Sequence, residues 1–172
     1  IFFPEGKVVF EKETSNRLDI ANKSLRSIKV YKKDAFSKNY LLIKYIRFYY
    51  SYFVNGSSNR LRLDSLQVRD KADLLSQTYS FNYNTSVSIP PTNSRARDYW
   101  GFYNGKNNTS LIPQTTIDIL GPTGVFSSSE VIGSSIANGR LPDPAFNQAG
   151  ILTKIYFPTG GYSEFTYETN QY

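Results

Sequence analysis

The densest group of side chains that could act in binding lies in one short segment, Tyr99-Trp100-Gly101-Phe102-Tyr103. Its aromatic residues could form a platform on which a sugar ring stacks, or a hot spot for a protein partner, because exposed Trp and Tyr dominate such sites. The same rings could instead anchor a long irregular loop by packing against the protein, and the length of the surrounding loop favours this interpretation. An exposed Trp100 in a groove indicates a binding module, whereas a buried Trp100 indicates a structural anchor.

Acid–base catalysis has few residues to draw on, because the sequence contains no His and no Cys. This composition removes the commonest general base, the commonest zinc ligand and any thiolate. Asp98, Asp118 and Asp143 are the candidates for a catalytic carboxylate pair. Glycoside hydrolysis needs two carboxyl groups roughly 5–10 Å apart, and nothing in the spacing of these residues requires that. We therefore expect no catalytic residue, no metal ligand and no cofactor, and we do not expect an enzyme.

The net charge of +6 raises the question of an anionic partner. Basic residues are spread along strand-like segments such as Lys44-Tyr45-Ile46-Arg47-Phe48, where they alternate with aromatic residues. Such a pattern can stack single-stranded bases, but it is more typical of the solvent face of a sheet, and no RNA-binding signature accompanies it. The sequence also has no apolar run long enough for a membrane span. We expect neither a nucleic-acid partner nor membrane insertion by this segment.

The elements that carry these residues are predicted to be β-strands, because apolar and polar residues alternate in three similar stretches. Each stretch joins a Leu-containing strand to an aromatic strand, and the pairs are residues 25–30 with 46–52, 63–68 with 79–83, and 152–157 with 162–167. We predict an all-β fold in which antiparallel hairpins form a twisted, repeat-like sheet. The adjacency of Tyr49 and Tyr50 indicates either a bulge or a strand buried on both faces. Such an array leaves edges, so we expect an unpaired edge strand or a dimer.

The composition divides the chain into three parts, which we interpret as one β-rich fragment of a larger protein. Residues 1–85 hold two strand pairs, residues 86–150 form an insertion rich in Pro, Gly, Asn and Ser, and residues 151–172 form a hairpin. The insertion is predicted to be a long loop anchored by its aromatic residues. Near its end, residues 143–149 predict a short helix with Asp143 as N-cap, Pro144 at the first helical position and Gly150 after the last turn.

The last hairpin resembles a YD repeat of the Rhs family, which has a pattern of the form G-x-L-x-x-I-x-x-P-x-G-x-x-x-x-F-x-Y-[DE]. The matching residues are Gly150, Leu152, Ile155, Pro158, Gly160, Phe165, Tyr167 and Glu168. The usual Tyr-Asp pair of the family is Tyr-Glu in this chain. Residues 98–108 also resemble a stretch that precedes the repeats in large surface or secreted Rhs-like proteins of Bacteroidetes. Only this hairpin matches the repeat well, because the first two strand pairs carry long insertions.

The resemblance implies a structural role and no chemistry. Repeats of this family build β-strand-rich shells, so the chain is expected to be a scaffold segment of an exported protein, extracellular or at the bacterial cell surface. The partners that this implies are flanking repeats of the same parent chain. The alternative is a carbohydrate- or protein-binding module that contacts a glycan or a protein through Tyr99, Trp100, Phe102 and Tyr103.

Overall fold

A computed structural model describes residues 1–170 and confirms the predicted all-β fold. The strands are β1 (Phe2–Phe3), β2 (Gly6–Lys12), β3 (Leu25–Lys33), β4 (Tyr40–Asn55), β5 (Ser58–Arg69), β6 (Leu75–Tyr83), β7 (Thr115–Leu120), β8 (Phe126–Ile132), β9 (Leu152–Tyr156) and β10 (Tyr162–Glu164). Across the described residues, no helix is long and apolar enough to cross a membrane. The chain divides into two compact units, described separately below.

The first unit, here called the sheet unit, comprises Ile1–Tyr83 and Leu152–Thr166. It contains one open sheet with the strand order β1-β2-β3-β4-β5-β6-β9-β10, in which every neighbouring pair is antiparallel. The register of the β4–β5 pair shifts between Tyr49 and Tyr50. Of the two alternatives that the adjacent tyrosines allowed, the bulge is therefore the one observed.

The two faces of this sheet differ in chemistry because side chains alternate along each strand. One face is formed by cross-strand rows of apolar residues and is called the apolar face; its members include Phe10, Ile28, Ile46, Phe48, Leu66, Val68 and Tyr79. The opposite face, called the polar face, includes Glu11, Ser27, Lys29, Tyr45, Arg47, Tyr49, Gln67, Arg69 and Thr78. The regular alternation that predicted the strands thus separates two chemically distinct surfaces.

The apolar face is only partly removed from solvent. Its residues are half-buried, apart from the exposed Phe10, and Ala96 in the other unit is the one buried hydrophobic residue within positions 1–170. A sheet face that packs on a core usually buries its Ile, Leu and Val side chains almost completely. The sheet unit therefore relies on strand pairing and on cross-strand side-chain contacts more than on an enclosed apolar core.

Residues 13–24 connect β2 to β3 and support the part of the β4–β5 hairpin that β6 does not reach. Asp19 accepts a hydrogen bond from the amide of Leu61 at 3.0 Å, and the hydroxyl of Tyr52 accepts one from the amide of Leu18 at 3.0 Å. Arg17 donates to both carboxylate oxygens of Asp19, at 2.8 and 2.6 Å. The hydrogen bond from Arg17, assisted by the Leu61 amide, lowers the pKa of Asp19 to about 2. The ionised carboxylate therefore holds the connection against β5.

The second unit, here called the loop unit, comprises Asn84–Ile151 together with the segment that begins at Tyr167. It contains a hairpin that the sequence analysis did not predict, in which β7 pairs with β8 from Thr115↔Ile132 to Leu120↔Phe126. Every residue of these two strands is exposed. Alternation in β7 covers only Thr116 to Ile119, and β8 contains a run of serines that does not alternate, so the hairpin gives too weak a signal to be recognised.

The helix predicted for residues 143–149 is wrong, because this segment folds as consecutive turns. Asp143 does act as a cap, since its Oδ1 accepts a hydrogen bond from the Ala145 amide at 3.0 Å. The Asp143 carbonyl accepts from the amides of both Phe146 and Asn147 at 3.0 Å, but the ladder of i to i−4 bonds does not continue. Gly150 then has a φ of 72°, which ends the turns. One turn is too short to repay helix nucleation unless tertiary packing supports it.

Candidate functional site

Asp98 organises the aromatic segment of the loop unit. Its side chain is buried, with the residue 1% exposed, and its Oδ1 accepts hydrogen bonds from the amides of Trp100 and Phe102, each at 2.9 Å. Its own amide donates to the carbonyl of Phe102 at 2.8 Å. Gly101, between the two aromatic residues, has a φ of 95°, a conformation that residues with a Cβ rarely adopt. The carboxylate thus closes a tight turn that places the aromatic side chains on its outside.

Arg140 fixes the same turn from a distant point in the sequence. Its Nη2 donates to the carbonyl of Asp98 at 2.7 Å, and its Nη1 donates to the carbonyl of Leu111. The guanidinium carbon lies 5.4 Å from the centre of the Tyr99 ring, within the range of a cation–π contact. The Tyr99 amide donates in return to the carbonyl of Arg140 at 3.0 Å. Backbone and ring contacts together therefore hold the start of the aromatic segment.

The aromatic residues of the segment divide into an exposed set and one anchor. Tyr99 is 43% exposed, Trp100 is 45% exposed and Phe102 is 46% exposed. Tyr103 is half-buried and packs edge-on against Phe146, with the ring centres 5.4 Å apart at an angle of 75°. The segment therefore presents three aromatic surfaces to solvent and uses the fourth for packing. A binding module requires Trp100 to be exposed in a groove; Trp100 is exposed, but it is not among the residues that line the cavities described for this chain.

Buried amide side chains hold the loops around this turn. Asn104 is fully buried, and its Nδ2 donates to the carbonyls of Gly139 at 2.8 Å and Leu141 at 3.0 Å. Asn108 Nδ2 donates to the carbonyls of Gly139 at 2.7 Å and Arg95 at 3.1 Å. Sequence reasoning missed both roles, because the partners lie more than ten residues away and Asn in a Gly-rich loop is typical of turns.

A small cavity of about 190 Å³ lies beside Phe102. Its lining combines aromatic, amide, aliphatic and carboxylate side chains, from Phe102, Asn147, Gln148, Ile151, Tyr167, Glu168 and Asn170. Gln148 donates to the carbonyl of Tyr167 at 2.9 Å, which fixes this side of the lining. Asn147 Oδ1 is buried and has no hydrogen-bond donor within residues 1–170. An aromatic surface beside amide and carboxylate groups is suited to a sugar, which offers both apolar C–H faces and hydroxyl groups.

The three candidate catalytic carboxylates each serve a different local structure. Asp98 closes the aromatic turn, and Asp118 accepts a hydrogen bond from Ser129 at 2.7 Å across the β7–β8 hairpin. Asp143 caps the turn near Ala145 and lies 3.9 Å from the ammonium group of Lys106. In the described part of the chain, no group of three or more Asp and Glu side chains is placed to hold a metal ion.

The residues that match the repeat pattern form the β9–β10 hairpin and its approaches. Leu152 and Ile155 lie in β9, and Pro158 and Gly160 lie in the turn, where Gly160 has a φ of 87°. Beyond β10, the amide of Phe165 donates to the carbonyl of Thr153 at 2.9 Å and extends the pairing. Gly150 and Tyr167 lie in the loop unit, where the Gly150 amide donates to the carbonyl of Asn84 and the Tyr167 carbonyl accepts from Gln148.

Comparison with known proteins adds no further constraint to this site. No protein-family model matches the chain, and neither the curated proteins nor the solved structures yielded a significant match.

Proposed function

We propose that this chain is a structural β-scaffold segment of an exported Rhs/YD-repeat-like protein, with no catalysis of its own. The observation that carries this proposal is the open antiparallel sheet of the sheet unit, which ends in two short strands. An array of paired strands with free edges is suited to continuation by further strands. The resemblance of the β9–β10 hairpin to a YD repeat supplies the family part of the proposal and the extracellular location that goes with it.

The two edges of the sheet carry backbone groups that could pair with a neighbouring repeat. On one side, β1 pairs only with Gly6 and Lys7, and Ile1 exchanges two hydrogen bonds with Val8 at 2.9 Å. Because outward-pointing amides recur at every second residue, those of Phe10 and Lys12 face the same uncovered side of β2. On the other side, the Phe165 amide donates to the Thr153 carbonyl and the Gly161 carbonyl accepts from the Phe157 amide, so these groups point toward β9. The amides of Tyr162 and Glu164, at the alternate positions, therefore point away from β9 and from the sheet.

Blocking one edge tests the scaffold proposal. Proline at Glu164 removes an outward amide without removing a β9–β10 ladder bond, so Glu164→Pro should reduce concentration-dependent association while the fold is kept. Glu164→Ala is the matched control, because it also loses the 3.2 Å ion pair with Lys154 but retains the amide. Light scattering measures association, and in the wild-type chain kept monomeric by dilution, hydrogen exchange should be fast at Phe10 and Glu164. A monomer in which both edge amides are strongly protected would contradict the proposal.

The second candidate function is a carbohydrate-binding module, and it is favoured by the exposure of Trp100 and of Phe102, the latter of which lines the 190 Å³ cavity. A sugar ring would stack on the exposed rings, and the Asn and Gln side chains of the lining would meet its hydroxyl groups. The sequence has a single Trp, so a glycan panel can be read directly from Trp100 fluorescence. Phe102→Ala should abolish the response, whereas Phe126→Ala, an exposed ring on β8, should not. The absence of any spectral response across the panel would exclude this candidate.

A further inference from the structure

Three arginines converge on the polar face of the sheet unit. Arg26 on β3, Arg47 on β4 and Arg69 on β5 line one open depression of about 250 Å³, together with Tyr45, Tyr49 and Asp73. Strand pairing places Tyr45 opposite Arg69 and Arg47 opposite Ser27. Arg26 precedes Ser27 at the point where the β2–β3 register shifts, which interrupts the regular alternation of faces and lets Arg26 join the same side. The lining carries three guanidinium groups and the carboxylate of Asp73. Glu13 beside Arg47 and Glu11 near Arg26 offset part of the remaining positive charge.

Two of the three arginines are held in place by the protein. Arg69 donates to Gln67 Oε1 through Nε at 3.2 Å and Nη2 at 2.7 Å, and its Nη1 donates to the carbonyl of Asp73 at 3.0 Å. Arg47 forms an ion pair with Glu13, with 3.1 Å between Nη2 and Oε1. These contacts fix the positions of two charges before any ligand arrives, which lowers the ordering cost of binding.

Two of the three arginines, Arg26 and Arg47, keep N–H groups that have no acceptor in the part of the chain that the structure describes. Arg26 has no ion-pair partner among the described residues. Arg26 Nε and Arg47 Nη1 are buried, and neither has a hydrogen-bond acceptor within residues 1–170. A buried donor without an acceptor is unfavourable, so an oxyanion or a water molecule that reaches these nitrogens would stabilise the group.

The tyrosines give the depression flat walls. The guanidinium carbon of Arg47 lies 5.7 Å from the centre of the Tyr49 ring, and Lys29 Nζ lies 5.3 Å from that of Tyr45. The hydroxyl of Tyr49 donates to Gln67 Oε1 at 3.0 Å, so its ring is fixed by the same amide that holds Arg69. Fixed aromatic rings next to guanidinium groups suit a ligand with both a ring-shaped body and an oxyanion.

We propose that this depression binds an anionic sugar. The oxyanion of the sugar would contact the guanidinium groups of Arg26 and Arg47, and its ring would pack against Tyr45 and Tyr49. The oxyanion is a carboxylate, phosphate or sulfate, since the planar guanidinium fork matches all of these. The site lies wholly within the sheet unit and does not depend on either function proposed above.

NMR titration of the full chain with glucose, glucuronate, glucose 6-phosphate and glucose 6-sulfate tests the proposal and distinguishes the oxyanions. At least one charged sugar should bind with about tenfold higher affinity than glucose, and added salt should weaken the binding. Inorganic phosphate and sulfate are the ion-only controls, and a polyglutamate peptide is the acidic-peptide control. Equal binding of the free ions or of the peptide would overturn the sugar assignment, and equal binding of glucose would overturn the role of the charge.

Arg26→Gln is the decisive variant, because it removes a charge that has no ion-pair partner within residues 1–170. It should weaken binding of the charged sugar about tenfold, and Arg26→Lys should have an intermediate effect, since Lys keeps the charge but not the fork. Thermal stability without ligand should change little, because the lower repulsion within the arginine group is offset by the lost attraction between Arg26 and Glu11. Arg62→Gln is the matched control, an arginine of β5 paired with Asp64 at 2.8 Å, and it should leave the affinity unchanged. Equal affinity in wild type and Arg26→Gln would overturn the proposal. Phe102→Ala should leave this site intact, which separates it from the cavity of the loop unit.

Discussion

The sheet unit satisfies its backbone through strand ladders and leaves its apolar side chains half-buried, whereas the loop unit buries polar side chains and leaves aromatic rings in contact with solvent. In the first, regular structure needs little help from individual residues, because each strand is held along its length by its neighbours. In the second, single side chains replace the ladder: Asp98, Asn104, Asn108 and Ser134 are buried, and Asp98 and the two asparagines bond to the backbone of distant or turning segments. A substitution of one buried polar residue in the loop unit should therefore lower the free energy of unfolding more than a substitution of one apolar residue in the sheet unit.

The largest effect is expected at Asn104, where the loop unit depends on one amide. Asn104→Ala removes the donors to the carbonyls of Gly139 and Leu141 and leaves both without that partner. The free energy of unfolding of the loop unit should fall by about 2–4 kcal/mol. Urea denaturation followed by Trp100 fluorescence reports this unit, because the only Trp lies there. The exposed Asn107 provides the control, and Asn107→Ala should change little. Comparable losses in the two variants would show that the amide network does not hold the loops.

A smaller effect is expected where two loop segments approach each other closely. A Cβ at Gly133 would lie 2.1 Å from the carbonyl oxygen of Pro113, and the residue has a φ of 92°. Gly124 has a φ of 75° but open space around it, so Gly124→Ala measures the conformational strain alone. We expect Gly133→Ala to cost about 2–3 kcal/mol and Gly124→Ala about 1 kcal/mol. Equal costs in the same urea titration would mean that the segments can move apart freely, in contrast to the packing described here.

The contrast between the units also explains what the sequence could predict. Strands β3 to β6, β9 and β10 follow from alternation, because a strand with one apolar face repeats every two residues. The adjacent Tyr49 and Tyr50 predict a bulge as one of two alternatives for the same reason, since a break in alternation marks a break in register. These features depend on neighbours in sequence and so leave a local pattern.

The loop unit leaves no such pattern. The partners of Asn104 are 35 and 37 residues away, so nothing near Asn104 in the sequence identifies its role. The density of aromatic residues identifies the segment from Tyr99 to Tyr103 as a candidate site. The length of the surrounding loop favours buried rings, but the turn closed by Asp98 exposes three of them. The arginine group was missed for a related reason, because Arg26, Arg47 and Arg69 meet only through strand pairing.

A pH-dependent loss of stability is expected in the sheet unit. The pKa of Asp19 is lowered to about 2 from an ordinary value of 3.8, so ionised Asp19 stabilises the folded state fully above pH 3.8, and this contribution is lost as the pH falls toward 2. At pH 6, Asp19→Asn should lower the free energy of unfolding by about 1–2 kcal/mol. The gap to wild type should close on acidification. Circular dichroism in urea at several pH values measures this, and Asp118→Asn, on an exposed strand of the loop unit, is the control. A gap that is independent of pH would remove the ion pair with Arg17 from the explanation.

The smallest effect on stability is expected on the apolar face of the sheet unit. Phe10 lies on the partly uncovered strand β2 and is 51% exposed. Phe10→Thr keeps a residue that favours strands. If no other copy of the chain covers this face, the free energy of unfolding should change by no more than about 0.5 kcal/mol. A well-packed core Phe would cost about 3–5 kcal/mol when truncated to Ala. Circular dichroism in urea, repeated over a range of protein concentrations, distinguishes the two situations. A loss of several kcal/mol that grows with protein concentration would mean that another copy covers this face in solution, and the half-buried rows would then belong to an interface.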